Sequence, residues 1–204
     1  MRVLLVYCHP EPASFTAAIR DLVCARLDRA GAEFRQLDLY QESFDPVLSR
    51  GALAAYSDPS KNRATVEAHV ANIEWSDSLI FIYPTWWYGM PAMLKGWLDR
   101  VFLPGSAFHL PGPGEQAIRP GLRHINRIAV FTTCGASWLW TQIIGSPGKR
   151  ILLRGLRSIC ARHSRTEFAA HYSMDSSTPE SRARHLEKVS RAMDRFLSAE
   201  MKRR

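Results

Sequence analysis

The sequence predicts an α/β protein built on a doubly wound, five-stranded parallel sheet with helices on both faces. Two observations predict it: short apolar, β-prone runs recur along the chain, and amphipathic helical patterns separate them. Continuous apolar runs suit strands buried on both faces of a parallel sheet, and alternating strands and helices imply right-handed crossovers. The chain has 204 residues, and we expect residues 1–204 to form a single domain.

Five segments are predicted strands. Residues 2–8, 78–83 and 126–133 are nearly continuous apolar runs. Residues 166–173 form a weaker run, and residues 33–39 alternate polar and apolar side chains, as a strand nearer the sheet edge does. Five strands fit the spatial order 2-1-3-4-5, although the pattern alone does not determine that order.

Helical spacing of apolar residues predicts the connections. Four helices are expected, over residues 16–30, 62–75 and 91–102 and from Thr178-Pro179 onward. Gly31 is a stop signal after the first helix, and Pro91 and Pro179 suit the first turn of their helices. Residues 103–121 are rich in Pro and Gly and predict a long loop, a kind of segment that is usually functional or mobile.

Cysteine usage and hydropathy exclude several classes of protein. The four cysteines are Cys8, Cys24, Cys134 and Cys160, and they lie far apart in the sequence. Because there is no CxxC pair and no zinc-like histidine spacing, we expect neither a metal site nor a disulfide framework. The opening MRVLLVYCHP is interpreted as the first strand rather than a signal peptide. Since no apolar stretch approaches the roughly 18 residues of a membrane span, we expect a cytoplasmic protein with reduced thiols and no membrane insertion.

The formal net charge of +8 would suit an anionic partner. Basic residues are concentrated in the last third of the chain, which ends in Lys202-Arg203-Arg204. In the last helix they share the polar faces with Asp and Glu, and no interleaved aromatics accompany them as in a single-strand platform. We therefore interpret the charge as a solvated surface and expect no nucleic-acid partner.

In an open α/β sheet, ligands bind beyond the carboxyl ends of the strands where the winding reverses. The first loop to inspect, residues 8–16, brings Ser14 and Thr16 to the start of a helix, where free N–H groups and the helix dipole favour a phosphate. The alternative is that one hydroxyl only caps the helix. The loop has neither a P-loop nor a GxGxxG pattern, which argues against a nucleotide triphosphatase and a Rossmann dehydrogenase.

Two further loops complete the candidate site. Residues 84–91 place three adjacent aromatics between prolines, where rings can flank a planar ligand. Each ring alone would equally suit a core or a dimer surface, but three adjacent rings cannot all point inward from one turn. Residues 131–137 form a small polar turn that lets a ligand approach the backbone; Cys134 in it is interpreted as an inert small residue, because no resolving cysteine or base is near in sequence.

Three segments, VYCHPEPASFT, YPTWWYGMPAMLKGWLDRVF and FTTCG, resemble the flavodoxin-like NAD(P)H:quinone reductases of the DT-diaphorase type. The chain is also similar to the bacterial branch that includes ancillary quinone reductases of glutathione-gated potassium efflux systems. The likeness spans roughly residues 2–160. It implies a flavodoxin-like fold, a flavin (FMN or FAD), NAD(P)H as co-substrate, a quinone or other small acceptor, a ping-pong scheme and a homodimer with the substrate site at the subunit interface.

The resemblance also assigns site residues, all of them to the cofactor. The ribityl and phosphate portion would be held by His9, Ser14, Phe15 and Thr16. One side of the isoalloxazine would be held by Pro84, Thr85, Trp86, Trp87 and Tyr88. The rest of the ring would be held by Thr132, Thr133 and Gly135. It predicts no metal ligand.

One departure leaves the catalytic residues unassigned. In the better-known quinone reductases a tyrosine and a histidine after the threonine–glycine turn assist proton movement. Here Trp140 and Ser146 stand near those positions, and neither can act as that acid–base pair. The departure motivates an alternative function, a flavin-binding ancillary subunit of a membrane transporter with little turnover. A one-electron carrier of the flavodoxin type is disfavoured, because such carriers are expected to have acidic docking surfaces.

Overall fold

The computed structural model describes residues 1–112 and 114–198. Pro113 of the predicted long loop and the basic Lys202-Arg203-Arg204 end lie outside the described residues. The strands are β1 (Arg2–Tyr7), β2 (Glu33–Asp38), β3 (Ser78–Thr85), β4 (Phe108–His109), β5 (Arg119–Pro120), β6 (Arg127–Cys134) and β7 (Arg165–His171). The helices are α1 (Phe15–Arg29), α2 (Arg50–Ala55), α3 (Glu67–Trp75), α4 (Ala92–Val101), α5 (Trp138–Ile144), α6 (Pro147–Arg150) and α7 (Pro179–Leu197), with a π-helical segment (Ile151–Leu156) and a 3₁₀ turn (Met174–Ser176).

The main sheet has five parallel strands in the order β2-β1-β3-β6-β7. Numbered among themselves, these strands run 2-1-3-4-5, so the predicted fold class and order are confirmed. The apolar runs of β1, β3 and β6 are buried almost throughout because helices cover both faces. α1 and α7 pack on one face, and α3, α4 and the π-helical segment pack on the other.

The structure corrects the predictions in three places. Residues 62–66 form turns rather than the start of α3, because the Asn62 side chain donates to the carbonyls of Tyr56 and Pro104 instead of continuing a helix. The long loop over residues 103–121 contains a small antiparallel pair, β4 with β5. Helices α2, α5 and α6 and the π-helical segment were not predicted, since they are short and lack a clear amphipathic pattern.

The Gly and Pro residues that were predicted at helix ends lie at or next to those ends. Gly31 follows α1 with φ +62°, a left-handed conformation that glycine adopts without strain. Pro179 opens α7, whereas Pro91 is the cap residue just before α4. No helix in the described ranges is both long and apolar enough to cross a membrane.

Candidate functional site

A cavity of about 790 Å³ lies at the carboxyl edge of the sheet, where β1, β3, β6 and β7 end. Its size falls within the range of small-molecule sites. Eight of the twelve residues predicted for the cofactor line it: His9, Pro84, Thr85, Trp86, Trp87, Tyr88, Thr133 and Gly135. The structure therefore brings the three predicted loops together at one place.

Threonine hydroxyls join the three loops. Thr133 Oγ1 is hydrogen-bonded to Thr16 Oγ1 at 3.2 Å, and Thr132 Oγ1 to Thr85 Oγ1 at 2.8 Å. Consecutive residues of β6 face opposite sides of the sheet, so the end of this one strand is tied to α1 by Thr133 and to the β3 loop by Thr132. Thr16 and Thr132 are buried in these bonds and do not line the cavity themselves.

The start of α1 presents free N–H groups near this edge. Ser14 caps the helix, its hydroxyl accepting from the Ala17 N–H at 3.1 Å, so the predicted capping role is present. The N–H groups of Phe15 and Thr16 donate to no acceptor among the described residues. Such groups at the first turn of a helix are what an anion binds.

The Phe15 side chain points away from the cavity. It packs edge-on against His171, with ring centroids 5.4 Å apart, and lies 5.9 Å from His185. Any contact of Phe15 with a bound phosphate would therefore come from its backbone N–H rather than from its ring.

The aromatic loop is a tight turn with both central residues in a left-handed conformation. Trp86 and Gly89 exchange backbone hydrogen bonds of 3.1 and 3.0 Å, and the residues between them, Trp87 and Tyr88, have φ of +47° and +61°. Positive φ at both central positions is typical of type I′ turns and costs non-glycine residues of order 1 kcal/mol each. The turn presents the Trp87 ring outward, 95% exposed, so the prediction that the three rings do not all point inward is confirmed.

His9 is held in one tautomer. Its Nδ1 accepts the Glu11 N–H at 3.0 Å, which leaves the proton of the neutral ring on Nε2. Burial lowers the pKa of His9. The ring lies 6.2 Å from that of Trp86, between the first and second loops.

Sequence reasoning missed one wall of the cavity. The 3₁₀ turn after β7 contributes Met174 and Asp175. Asp175 stands against Gly135, where an added Cβ would lie 3.0 Å from Asp175 Oδ2. The available signal was the fifth strand itself, whose carboxyl end reaches the same edge of the sheet.

The thiols do not form a redox pair. All four cysteines are free. Burial raises the pKa of Cys8 and of Cys160 to about 12, so both are neutral thiols at physiological pH. Cys134 is buried with its Sγ 3.6 Å from Thr141 Oγ1, in agreement with its interpretation as a small structural residue.

Fold and site together define an α/β protein with a ligand cavity at the carboxyl edge of a 2-1-3-4-5 sheet. A family model described as flavodoxin-like fold matches residues 1–197, and the chain belongs to this family.

Curated relatives and solved structures agree with this assignment. The chain is 33% identical over 159 residues to the ribosyldihydronicotinamide dehydrogenase [quinone] of Mus musculus, and 31% over 157 residues to that of Rattus norvegicus. Each alignment covers 69% of this chain and 67% of the relative. The crystal structure of Smu.1420 from Streptococcus mutans has 30% identity and a TM-score of 0.79, over 96% of this chain and 100% of that one. An NAD(P)H:quinone oxidoreductase from Methanothermobacter marburgensis shares the fold, with 24% identity and a TM-score of 0.79 over 98% of each chain.

Proposed function

We propose that this protein is a flavin-dependent NAD(P)H oxidoreductase that reduces a quinone or a similar small acceptor. The observation that carries the proposal is the cavity, which has an exposed aromatic turn on one side, a threonine–glycine turn on another and free helix N–H groups nearby. The names of the relatives, dehydrogenases acting on quinones with ribosyldihydronicotinamide as donor, support the same chemistry.

The residues present fit a flavin. Its phosphate would be held by the Ser14 hydroxyl and the free N–H groups at the start of α1, and its ring by the turn at residues 84–88 and by Thr133 and Gly135. Gly135 matters because a side chain there would press on Asp175 and narrow the cavity. A bound flavin supplies the two-electron chemistry, while these residues orient it and exclude water.

The donor and the acceptor would use one cavity in turn, which is a ping-pong scheme. Three other pockets in the described part of the chain are smaller, with volumes of about 500, 240 and 20 Å³. We propose NAD(P)H as the donor, with the smaller ribosyldihydronicotinamide as the alternative that the relatives suggest.

We also propose a homodimer of single-domain subunits. Helix α5 exposes a large apolar surface, with Trp138, Leu139 and Ile143 each about 60% exposed. A contiguous exposed patch of this kind marks an interaction site. It adjoins the cavity, since Trp140 of the same helix contacts Tyr88. A second copy covering α5 would therefore also wall the site, and light scattering of wild type and Leu139→Asp tests this: the variant should be monomeric.

The cytoplasm is the proposed location. Four free cysteines, three of them buried, suit a reducing compartment. Detection of the protein in the soluble cell fraction, with its three buried thiols reactive to alkylation only after unfolding, would agree with this.

The test of the function is a visible absorption spectrum of the purified protein. We expect a yellow protein whose released cofactor is identified by mass, whose colour bleaches on anaerobic addition of NADPH and returns on addition of a benzoquinone. A colourless protein that takes up neither FMN nor FAD would overturn the proposal. A yellow protein that NADPH and ribosyldihydronicotinamide both fail to bleach would favour the ancillary-subunit alternative.

A further inference from the structure

The hydroxyl of Tyr88 is fixed at the wall of the cavity by a second element. It accepts a hydrogen bond of 2.8 Å from Nε1 of Trp140, which lies on α5. Tyr88 is held in a left-handed conformation with φ +61°. Strained backbone at a cavity wall commonly has a functional cause, and here the turn aims a phenol at its partner.

Behind Tyr88 lies a small chamber that the cavity does not include. It has a volume of about 20 Å³, enough for one water molecule. Tyr88 lines both the chamber and the cavity. The other chamber walls are rich in hydroxyls, among them Tyr83, Thr141, Ser146 and Tyr172, and include the ammonium-bearing Lys149. A water there has the polar partners that a stable buried site requires.

The proposed reaction needs one more proton than its donor supplies. NAD(P)H gives up two electrons and one proton as a hydride, whereas a quinone takes up two electrons and two protons to become a hydroquinone. The second proton must come from a protein group or from water. A proton donor must lie within hydrogen-bond reach of the acceptor, and so at the cavity wall.

Four ionisable side chains line that wall, and three of them are poorly suited as proton donors. Cys134 is buried, with its Sγ 3.6 Å from Thr141 Oγ1. Asp175 is exposed at the cavity rim, and an ionised carboxylate only accepts hydrogen bonds. His9 is neutral because burial lowers its pKa, and its remaining Nε2 proton belongs to a neutral imidazole, a far weaker acid than a phenol. Tyr88 has a phenolic proton, and the Trp140 N–H is already in place to stabilise the oxygen that loses it.

We propose that Tyr88 is a catalytic residue that gives the second proton to the acceptor oxygen, with Trp140 as its positioning residue and the chamber water as the source that restores the proton. This rests on the proposed function. The phenol O–H bond breaks and an O–H bond forms on the acceptor. The electron pair stays on the Tyr88 oxygen, hydrogen-bonded to Trp140, until water returns a proton, so the net change is uptake of one proton from solvent.

The test compares a proton-requiring acceptor with one that needs only electrons. Benzoquinone takes up protons, whereas ferricyanide accepts electrons alone. In Tyr88→Phe, kcat/KM for benzoquinone should fall about 10²- to 10⁴-fold, the usual contribution of a general acid. Ferricyanide reduction should fall much less, because an electron transfer without protonation does not call on general-acid catalysis, so the ratio of the two rates is the readout. Trp140→Phe should lose about 10- to 100-fold with benzoquinone, the effect of removing one hydrogen bond to a charged oxygen.

Tyr56→Phe is the matched control. Tyr56 lies at the end of α2, and its hydroxyl makes no hydrogen bond to another described residue. This variant should reduce both acceptors at wild-type rates. Flavin content, read from the absorption spectrum, separates a lost proton donor from a lost cofactor.

A readout without flavin tests the geometry itself. In the flavin-free protein labelled with ¹⁵N-tryptophan, the indole signal assigned to Trp140 through Trp140→Phe should shift in Tyr88→Phe and stay in place in Tyr56→Phe. An unmoved signal would mean that the hydrogen bond is absent in solution.

The outcomes separate the two proposals. If wild type reduces neither acceptor, the proposed function fails and the role of Tyr88 fails with it. If wild type reduces both and Tyr88→Phe leaves the ratio of the two rates unchanged, the function stands and Tyr88 is not the proton donor.

Discussion

Replacing Trp87 separates ligand contact from fold stability, because its side chain is 95% exposed. Trp87→Ala removes almost no buried apolar surface, so the free energy of unfolding should change by less than about 0.5 kcal/mol. Flavin affinity should fall. Stacking alone is worth about 1 kcal/mol, and covering half of a roughly 200 Å² side chain would add about 2.5 kcal/mol. At about 1.4 kcal/mol per factor of ten, we expect roughly 5- to 300-fold weaker binding.

Trp87→Gly is the matched variant. It removes the same ring, but glycine adopts the observed φ of +47° without strain. Its free energy of unfolding should exceed that of Trp87→Ala by about 1 kcal/mol, while its flavin affinity falls. Urea unfolding of the flavin-free proteins gives the stabilities, and quenching of flavin fluorescence gives the dissociation constants.

Two results would refute this reasoning. A loss of more than about 1 kcal/mol of stability in Trp87→Ala would mean that the ring is packed rather than exposed. Unchanged flavin affinity in both variants would remove Trp87 from the site.

Three further predictions concern the packing, the buried histidine and the helix cap. Gly96→Ala should lower the free energy of unfolding by more than about 2 kcal/mol despite alanine's helix propensity, since its Cβ would lie 2.2 Å from a backbone oxygen. Gly155→Ala, where the added Cβ meets open space, should leave that free energy unchanged or raise it, as measured by urea unfolding. Burial, aided by its cationic neighbours, lowers the pKa of His185 from 6.5 to about 4, so on acidification the unfolded state takes up this proton first. The contribution of His185 to the free energy of unfolding should be full above pH 6.5 and fall by up to about 3 kcal/mol towards pH 4. His185→Leu should remove this loss. Ser14→Ala and Ser49→Ala each lose a cap worth about 1 kcal/mol, but only Ser14→Ala should also weaken flavin binding in the fluorescence titration.

Sequence patterns predicted the main sheet well, for a physical reason. Strands buried on both faces must be continuously apolar, and that signal is local, so β1, β3 and β6 begin and end within two residues of their predicted bounds. Helix α5 was missed because its apolar residues face outward rather than forming one inward stripe, so it has no core-facing period.

Only the features of the site that depend on nearby sequence could be predicted. The three loops could be found because strand ends in a parallel sheet converge, but the side-chain directions could not. Phe15 turns inward because it packs on His171 and His185, more than 150 residues away in sequence. Asp175 was missed because it follows the strand with the weakest pattern.

The adjacent threonines at the end of β6 have a consequence for ligand binding. Thr133 bonds to α1, where a phosphate would bind, and Thr132 bonds to the β3 loop, where a ring would lie. Ordering one loop therefore lowers the entropy that remains to be lost at the other, so the two ends of a flavin should bind cooperatively. Riboflavin, which lacks the phosphate, should bind more weakly than the missing phosphate contacts alone explain, and Thr133→Val should reduce that excess.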